Sequence, residues 1–263
     1  MTEILIAVAI VTGIGAIAGI GLAIASIVMA VPVNEKAQEI AAALPGANCG
    51  ACGFSGCSAY AEAIANGNAV PGLCTPGGKE TADKLSEILG VKIDAKRKFA
   101  FTGCAGCTQP KKFEYRGVQS CAGANMFHGG TEACSYGCLG LGDCARSCEY
   151  NAITMVNGAA RIDIDLCKGC GKCAAICPKG LISVITPTKR RVAAIKCSNK
   201  EKGKAVTSVC KSGCIACGKC AKECNFAAIT MENNLPVIDL AKCLGCGKCA
   251  AACPTKVIEI IKI

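Results

Sequence analysis

The density and spacing of cysteine constrain this chain more than any other feature. Two stretches are close copies of each other, Cys167-Lys-Gly-Cys170-Gly-Lys-Cys173-Ala-Ala-Ile-Cys177-Pro178 and Cys243-Leu-Gly-Cys246-Gly-Lys-Cys249-Ala-Ala-Ala-Cys253-Pro254. Both have the spacing C-x2-C-x2-C-x3-C-P, in which three thiols lie close together and a fourth follows on a short helix. The glycines between them permit the tight backbone that points amides at sulfur. The sequence therefore predicts a fold built around metal.

The spacing favours [4Fe–4S] clusters over the two other common uses of clustered cysteines. Zinc sites usually have two separated C-x2-C pairs, and disulfide scaffolds do not need such runs of four. In bacterial ferredoxins the first three cysteines of this run bind one cluster, and the fourth binds the other cluster of the pair. For the C-terminal pair we therefore predict two crossed ligand sets. One set is Cys214, Cys217, Cys220 and Cys253, and the other is Cys243, Cys246, Cys249 and Cys224.

Composition indicates the compartment and excludes one class of partner. The 263 residues include 25 cysteines and one histidine. Cluster ligands must stay reduced, which favours the cytosolic face of a membrane. The formal net charge is +10, but a cluster with four thiolates carries about −2, so five clusters would cancel the excess. Because only 4% of residues are aromatic, platforms for base stacking are scarce and nucleic-acid binding is not expected.

The first 33 residues predict a transmembrane anchor. Residues 4–33 contain no charged side chain, and about 20 helical residues span a bilayer. A secretory signal is the alternative. It fits poorly, because the residue before the apolar run is Glu3 and not part of a basic segment, and because the apolar run is too long for a signal peptide. We expect a single-pass helix in the cytoplasmic (inner) membrane, with the cysteine-rich part on the cytoplasmic side.

A small, mostly helical domain is predicted for residues 34–95. Helical patterns cover 34–44, 58–66 and 81–89, and proline, glycine and asparagine separate them. Four cysteines with the spacing C-x2-C-x4-C-x16-C lie among these helices, namely Cys49, Cys52, Cys57 and Cys74. They form one complete cluster site, with zinc as the alternative metal.

Residues 96–263 contain an internal repeat with an offset of 76 residues, in units of about 121–186 and 197–263. The offset pairs Cys121 with Cys197 and Cys134 with Cys210, and it superimposes the two cysteine runs. Short apolar strands flank the hairpin signal Asn157-Gly158 and its counterpart Asn233-Asn234. The predicted fold class is α+β, with a transmembrane helix, a four-iron domain, and duplicated bacterial-type 2[4Fe–4S] ferredoxin-like modules.

One ligand set in the first module is complete and the other is not. The complete set is Cys167, Cys170, Cys173 and Cys148. In the other set Leu141 occupies the position of Cys217, which leaves Cys138, Cys144 and Cys177. Cys134 is the nearest candidate for its fourth ligand, and a three-iron cluster is the alternative. Five cysteines belong to none of these sets, namely Cys104, Cys107, Cys121, Cys197 and Cys210. Four of the five could hold a further cluster, and structural thiols or a zinc site are the alternatives.

Basic residues offer a docking surface for an acidic ferredoxin. Lys189, Arg190 and Arg191 are consecutive, and further lysines lie within 196–204. A solvated face is the alternative interpretation. His128 is expected to lie on a surface loop. No nucleotide-binding loop or nucleophile motif is found, so we expect no complete active site in this chain.

The order of these features resembles that in the B subunits of the Rnf family, membrane ferredoxin:NAD oxidoreductases that pump sodium ions or protons. The resemblance covers nearly the whole chain. The second module and the additional cysteines resemble the long form found in clostridial and acetogenic anaerobes. The motif at 49–74 also resembles the four-iron domain of the corrinoid iron–sulfur protein.

The resemblance implies an electron-transfer subunit of a translocase that is not active alone. It would accept electrons from soluble reduced ferredoxin and relay them through five or six [4Fe–4S] clusters to partner subunits. Three other classes stay open. The first is an iron–sulfur subunit of a different membrane oxidoreductase. The second is a corrinoid or methyl-transfer accessory protein, which would need a cobamide-binding domain for which the chain has no remaining length. The third is a structural zinc protein.

Overall fold

An apolar helix stands at the N-terminus of the computed structural model, which describes residues 2–28, 34–95, 97–106 and 111–263. This helix, α1, spans Thr2–Val28, and its described side chains are exposed. By length and composition, residues 4–26 form a candidate membrane span. The last residues of the predicted anchor, 29–33, lie outside the described residues.

Three helices pack around a small core in the next part of the chain. They are α2 (Glu35–Ala43), α3 (Cys57–Ala65) and α4 (Gly78–Leu89). Asn34 caps α2, since its side-chain oxygen accepts a hydrogen bond of 3.2 Å from the backbone N–H of Ala37. The core is formed by Ile40, Tyr60 and Leu85, each almost completely buried between the helices. This helical unit follows the pattern predicted for it.

Two further units follow, each with two antiparallel strand pairs and short helices beside the cysteine runs. The elements of the first unit are β1 (Phe99–Thr102), α5 (Cys121–Asn125), α6 (Asp143–Arg146), β2 (Ile153–Val156), β3 (Ala159–Ile162), α7 (Lys172–Ile176) and β4 (Ile182–Ile185). Those of the second unit are β5 (Arg191–Ile195), α8 (Gly203–Val209), α9 (Lys219–Lys222), β6 (Ile229–Glu232), β7 (Leu235–Ile238), α10 (Lys248–Ala252) and β8 (Ile258–Lys262).

The predicted hairpins are present, and each unit has a second strand pair that the sequence did not predict. β2 pairs with β3, and β6 with β7. Asn157 and Gly158 both have positive φ, as do Asn233 and Asn234, which is the backbone that a two-residue hairpin turn requires. The additional pairs join the two ends of each unit, β1 with β4 and β5 with β8.

The strand register corrects the alignment of the two units near their beginnings. Thr102 pairs with Ile182, and Ile195 pairs with Ile258, which is 76 residues beyond Ile182. Strand β1 is therefore the counterpart of β5. Cys104 follows its strand by two residues just as Cys197 does, so the counterpart of Cys197 is Cys104 rather than Cys121.

The misalignment arises from an insertion in the first unit. Cys104 and Cys134 are 30 residues apart, whereas Cys197 and Cys210 are 13 apart, so the first unit has 17 additional residues. The insertion carries Cys121, and its length happens to bring this cysteine into register with Cys197. A constant offset between cysteines could not show this, because only the strand pairing marks where each unit begins.

The two units share one apolar core between their terminal strand pairs. Phe99 and Val192 occupy equivalent positions on β1 and β5, and both are fully buried in this core with Ile261 of β8. Across the same junction, Ser198 Oγ donates a hydrogen bond of 2.9 Å to the backbone oxygen of Gly103. Loops that carry cysteines from both units are thereby held against each other.

Candidate metal centres

The four cysteines of the helical unit lie on loops that α3 holds together. Cys57 begins α3, and its backbone N–H donates a 2.8 Å hydrogen bond to the side chain of Asn48, beside Cys49. The Tyr60 hydroxyl donates to the backbone oxygen of Val70 and accepts from the N–H of Leu73, each at 3.0 Å. These two bonds fix the loop that ends in Cys74.

Burial and neighbouring charge show that the same four thiols are close together. Burial raises the pKa of the Cys74 thiol, and the nearby thiolates of Cys57, Cys49 and Cys52 raise it further. The structure therefore brings together all four residues predicted from the C-x2-C-x4-C-x16-C spacing.

The set predicted from the first cysteine run is also assembled. Burial raises the pKa of Cys173 to about 12, with contributions from Cys167, Cys170 and Cys148. The Cys167 sulfur accepts hydrogen bonds from the backbone N–H of Ala100 at 3.3 Å and of Gly169 at 3.4 Å. Such N–H···S bonds are part of how a protein sets the potential of a cluster.

The crossed pattern is visible in the second unit. Burial raises the pKa of Cys220 to about 11, and Cys214, Cys217 and Cys253 are the thiols that add to the rise. Cys253 lies at the end of α10, some thirty residues along the chain from the other three. The structure thus brings the fourth cysteine of one run to the other run.

The last set lies at the opposite side of the same core. Burial raises the pKa of Cys249, and the thiolates of Cys243 and Cys246 contribute. Cys224 packs against the same core of the second unit, and its sulfur accepts a hydrogen bond of 3.4 Å from the N–H of Ala228.

The pocket that holds the three thiols of the incomplete set is lined by a different fourth cysteine from the one predicted. Cys138, Cys144 and Cys177 line this cavity together with Cys121. Burial raises the pKa of Cys144 to about 11, and Cys138, Cys121 and Cys177 raise it further. Cys134, which the sequence favoured, does not line this cavity.

A buried carboxylate positions Cys121 at this cavity. Asp143 Oδ2 accepts hydrogen bonds from the backbone N–H of Cys121 at 2.8 Å and of Ala122 at 3.3 Å. Its other oxygen pairs with Arg146. The insertion is thereby anchored at the start of α5, with its cysteine in the lining of the cavity.

An unpaired hydroxyl supports the fit of a cluster in the same cavity. Thr102 lines the cavity and is 5% exposed, and its Oγ1 has no hydrogen-bond partner among the described residues. A buried hydroxyl without a partner costs about 1–3 kcal/mol. Sulfur atoms of a [4Fe–4S] cluster in this cavity would accept that hydrogen bond.

The remaining cysteines are placed differently from one another. Four of them line a second cavity, namely Cys104, Cys134, Cys197 and Cys210. Cys107 lies outside the described residues. His128 is exposed on a loop, as expected.

The described thiols line pockets and are not drawn around single points. Among the described residues, no three His, Cys, Asp or Glu side chains converge closely enough to hold one metal ion. A zinc ion draws its four thiolates around one point, whereas the thiolates of a four-iron cube bind different irons and lie farther apart. Thiols that line a cavity fit the cube, and no disulfide joins the cysteines within 167–177 or 243–253.

The helical unit lies against the first of the two following units. A crevice between them is lined by Pro76 and Lys79 on one side and by Asp165 and Cys167 on the other. Burial is the largest cause of the raised pKa of Cys170, and the thiolates of Cys49, Cys148 and Cys167 raise it further. Thiols of two predicted sets therefore adjoin each other.

Comparison with known families agrees with these sites. Residues 44–76 match the family described as a putative Fe-S cluster, residues 159–182 a 4Fe-4S binding domain, and residues 213–257 a 4Fe-4S dicluster domain. The first match contains all four cysteines of the helical unit, the second contains Cys167, Cys170, Cys173 and Cys177, and the third contains all eight cysteines of the two sets in the second unit.

Several curated proteins are similar over most of this chain. The B subunit of the Na+-translocating ferredoxin:NAD+ oxidoreductase complex of Acetobacterium woodii is 40% identical over 246 residues, 92% of this chain and 73% of that protein. The B subunit of an ion-translocating oxidoreductase complex of Methanosarcina acetivorans is 39% identical over 99% of this chain and 100% of that protein.

A third relative is the B subunit of the proton-translocating ferredoxin:NAD+ oxidoreductase complex of Clostridium ljungdahlii, 40% identical over 91% of this chain and 85% of its own length. Identity at this level over nearly complete chains shows common family membership. The chain belongs to the family of B subunits of the Rnf-type ion-translocating oxidoreductases and is an iron–sulfur electron-transfer subunit of such a complex.

Proposed function

We propose that this subunit accepts electrons from reduced ferredoxin and relays them by way of its [4Fe–4S] clusters to partner subunits of the complex. The names of the relatives from Acetobacterium woodii and Clostridium ljungdahlii include both ferredoxin and NAD+. The observation that carries the proposal is that the helical unit lies against the first ferredoxin-like unit at a crevice lined by Cys167. The Cys49 thiolate contributes to the raised pKa of Cys170, in agreement with this packing. The clusters supply one-electron carriers, and the chain supplies their spacing and surroundings.

We assign five clusters to five sets of thiols. Two sets lie in the first ferredoxin-like unit, two in the second, and one in the helical unit, and we interpret the two units as a duplicated module. The sets are Cys49, Cys52, Cys57 and Cys74; Cys148, Cys167, Cys170 and Cys173; Cys121, Cys138, Cys144 and Cys177; Cys214, Cys217, Cys220 and Cys253; and Cys224, Cys243, Cys246 and Cys249. Cys121 replaces Cys134 in this assignment because it lines the cavity with the other three thiols of its set.

We further propose that α1 anchors the chain in the cytoplasmic membrane with every cluster on the cytoplasmic side. Reduced thiols and labile clusters require a reducing compartment. Ferredoxin, as a soluble donor, would meet the chain on that side. No residue of this chain is assigned acid–base chemistry, and reduction of NAD+ would take place on a partner subunit.

A basic surface between β4 and β5 supports ferredoxin docking on the cytoplasmic part. Lys189, Arg190 and Arg191 are all exposed, and none of their side chains has an ion-pair partner among the described residues. A cationic surface accelerates encounter with an acidic partner by about 10- to 1,000-fold at low salt. We name these three residues the basic turn.

The test is the rate at which reduced ferredoxin reduces the full-length, cluster-loaded chain under anaerobic conditions. Reversal of the basic turn to glutamate should slow this reaction by roughly tenfold or more at low salt, with the difference shrinking at high salt. Lys36, Lys79 and Lys92 are exposed on the helical unit, and their reversal to glutamate is the matched control with the same change of charge.

The outcomes separate the parts of the proposal. Equal slowing by both triple variants would mean that net charge, and not the basic turn, guides ferredoxin. If dithionite reduces the clusters of the chain and reduced ferredoxin reduces none of them, ferredoxin is not the electron donor. Purified chain with stoichiometric zinc and little iron would contradict the electron-transfer function itself.

A further inference from the structure

Two cysteines at the junction, where the two ferredoxin-like units meet, occupy equivalent positions in the two units. Cys104 and Cys197 each follow the terminal strand of their unit by two residues. The residue before each makes the same backbone hydrogen bond, from Gly103 N to Leu181 O at 2.7 Å and from Lys196 N to Val257 O at 2.8 Å. The two thiols are therefore presented by the same local structure, once in each unit.

The other two cysteines of the junction are equivalent as well. Cys134 and Cys210 each stand four residues before the first cysteine of the following set, Cys138 and Cys214. Each begins a turn in which a glycine N–H donates back to the cysteine carbonyl, at 3.0 Å for Gly137 and 3.5 Å for Gly213. The four thiols thus form two pairs of counterparts.

All four line a single cavity where the units meet. Asn199 forms part of its wall. Asn199 is 2% exposed, and its side-chain nitrogen donates a hydrogen bond of 3.7 Å to the Cys134 sulfur. A Cβ atom on Gly103 would lie 2.6 Å from Ser198 Oγ, so glycine at this position permits the close approach of the two cysteine-bearing loops.

Cationic and acidic side chains both surround the cavity. Lys196 and Glu132 line the wall, and Lys196 also pairs with Glu259. Arg161 donates to the backbone oxygen of Cys104 at 3.1 Å and to that of Ala105. A four-iron cluster with four thiolates has a net charge of about −2, and nearby cations and amide donors offset the cost of holding it in a partly buried site.

The five sets of cluster ligands assigned above do not include these four thiols. Cys138 also touches the cavity, but its counterpart Cys214 heads the crossed set of the second unit, and Cys138 itself lines the neighbouring cavity with Cys121. Because Cys121 completes that neighbouring set, Cys134 is left to this one.

We propose that Cys104, Cys134, Cys197 and Cys210 hold a sixth [4Fe–4S] cluster, which lies between the two ferredoxin-like units and receives two ligands from each. The inference rests on the proposal that the chain carries clusters of this type. It makes the junction a metal site and places a one-electron carrier between the cluster pair of the first unit and that of the second.

The test is a double-substitution comparison of iron and acid-labile sulfide in full-length chain purified without oxygen. Six clusters give about 24 irons per chain. Cys104→Ala and Cys197→Ala should each lower the content to about 20, and the double variant should also contain about 20, because the two cysteines serve the same cluster. Ser208→Ala changes an exposed residue of α8 outside the lining of the cavity and should leave about 24.

A double variant with about 16 irons would assign the two cysteines to different clusters and overturn the proposal. Wild-type protein with about 20 irons that neither single variant lowers would overturn it too, while leaving the electron-transfer function standing. Stoichiometric zinc that either variant removes would make the junction a zinc site. If a variant loses nearly all iron and fails to fold, Cys134→Ala and Cys210→Ala, again one from each unit, make the same comparison.

Discussion

At the scale of single residues, the buried hydroxyl of Thr102 is the group that lacks a hydrogen-bond partner from the part of the protein that the structure describes. Its hydroxyl is buried in the cavity of the Cys121 set without a hydrogen-bond partner among the described residues. Its counterpart on β5 is Ile195, which has no hydroxyl and packs against the core of the second unit. The two units therefore differ in one hydrogen-bond donor beside equivalent sets of thiols.

We expect Thr102→Val to lower the reduction potential of one cluster by roughly 40 mV, the equivalent of one hydrogen bond of about 1 kcal/mol to the reduced form. Iron content should stay unchanged. Redox titration followed by electron paramagnetic resonance measures the shift, and the exposed strand residue Thr154 provides the control Thr154→Val. Ile195→Thr should raise the potential of a cluster in the second unit. Unchanged potentials in both variants would show that the hydroxyl does not contact a cluster.

The buried thiols should also make the cluster-free chain sensitive to alkali. Burial raises the pKa of Cys173 to about 12 and that of Cys144 to about 11, from 9.0 for an ordinary thiol. As pH rises above about 9, the unfolded chain loses these protons while the folded chain keeps them, so the stability of the folded state falls. In the cluster-loaded chain the same sulfurs are already bound thiolates and do not titrate.

Urea unfolding of the cluster-free chain at pH 7.5 and pH 10, with a chelator present, checks this prediction. The midpoint should move to lower urea at pH 10. The cluster-loaded chain should show a smaller change over the same range. A midpoint that rises with pH would mean that these thiols titrate below the pKa of an unfolded chain.

At the scale of elements, the insertion between β1 and α6 brings a cysteine to the incomplete set of the first unit. Leu141 stands at the position of Cys217, and the insertion places Cys121 at the cavity that the other three thiols line, at the start of α5. Leu141 also packs against the small core that contains Cys121. In the proposed assignment, an element absent from the second unit supplies the ligand that the first unit lacks at one position.

This interpretation predicts a rescue. Cys121→Ala should remove about four irons from the chain, and adding Leu141→Cys to that variant should restore them, because the second unit shows that a cysteine at this position can complete such a set. Iron and sulfide analysis of the two variants and of Leu141→Cys alone makes the comparison. Restoration by a cysteine at a site away from the cavity, such as Ser208→Cys on α8, would show that the effect is not specific.

The same element marks the limit of what could be predicted from the sequence. Helices α2 to α4 and hairpins β2–β3 and β6–β7 follow from local signals, such as the cap at Asn34 and the turn at Asn157. The terminal strand pairs do not, since β1 and β4 are far apart in sequence and only their pairing reveals that the first unit begins before Cys104. Without that boundary, Cys121 and Cys134 could not be assigned to their sets.

At the scale of the whole molecule, the sites follow one another along the chain of units. The helical unit lies beside the Cys170 set, the Cys121 set occupies the other part of the first unit, and the junction cavity leads to the second. With the proposed sixth cluster, no unit is separated from the next by a gap without a carrier. The two ferredoxin-like units would then act as one conductor rather than as two independent pairs.

The distances along the chain between thiols of one site have a consequence for biosynthesis. The helical unit has all four of its cysteines within residues 49–74 and can be matured as soon as that segment leaves the ribosome. The junction cavity takes Cys104 and Cys134 from early sequence but Cys197 and Cys210 from much later sequence. During translation the first ferredoxin-like unit therefore exists for a time with two uncommitted thiols, and the cell must keep this intermediate reduced until the second unit emerges to meet it.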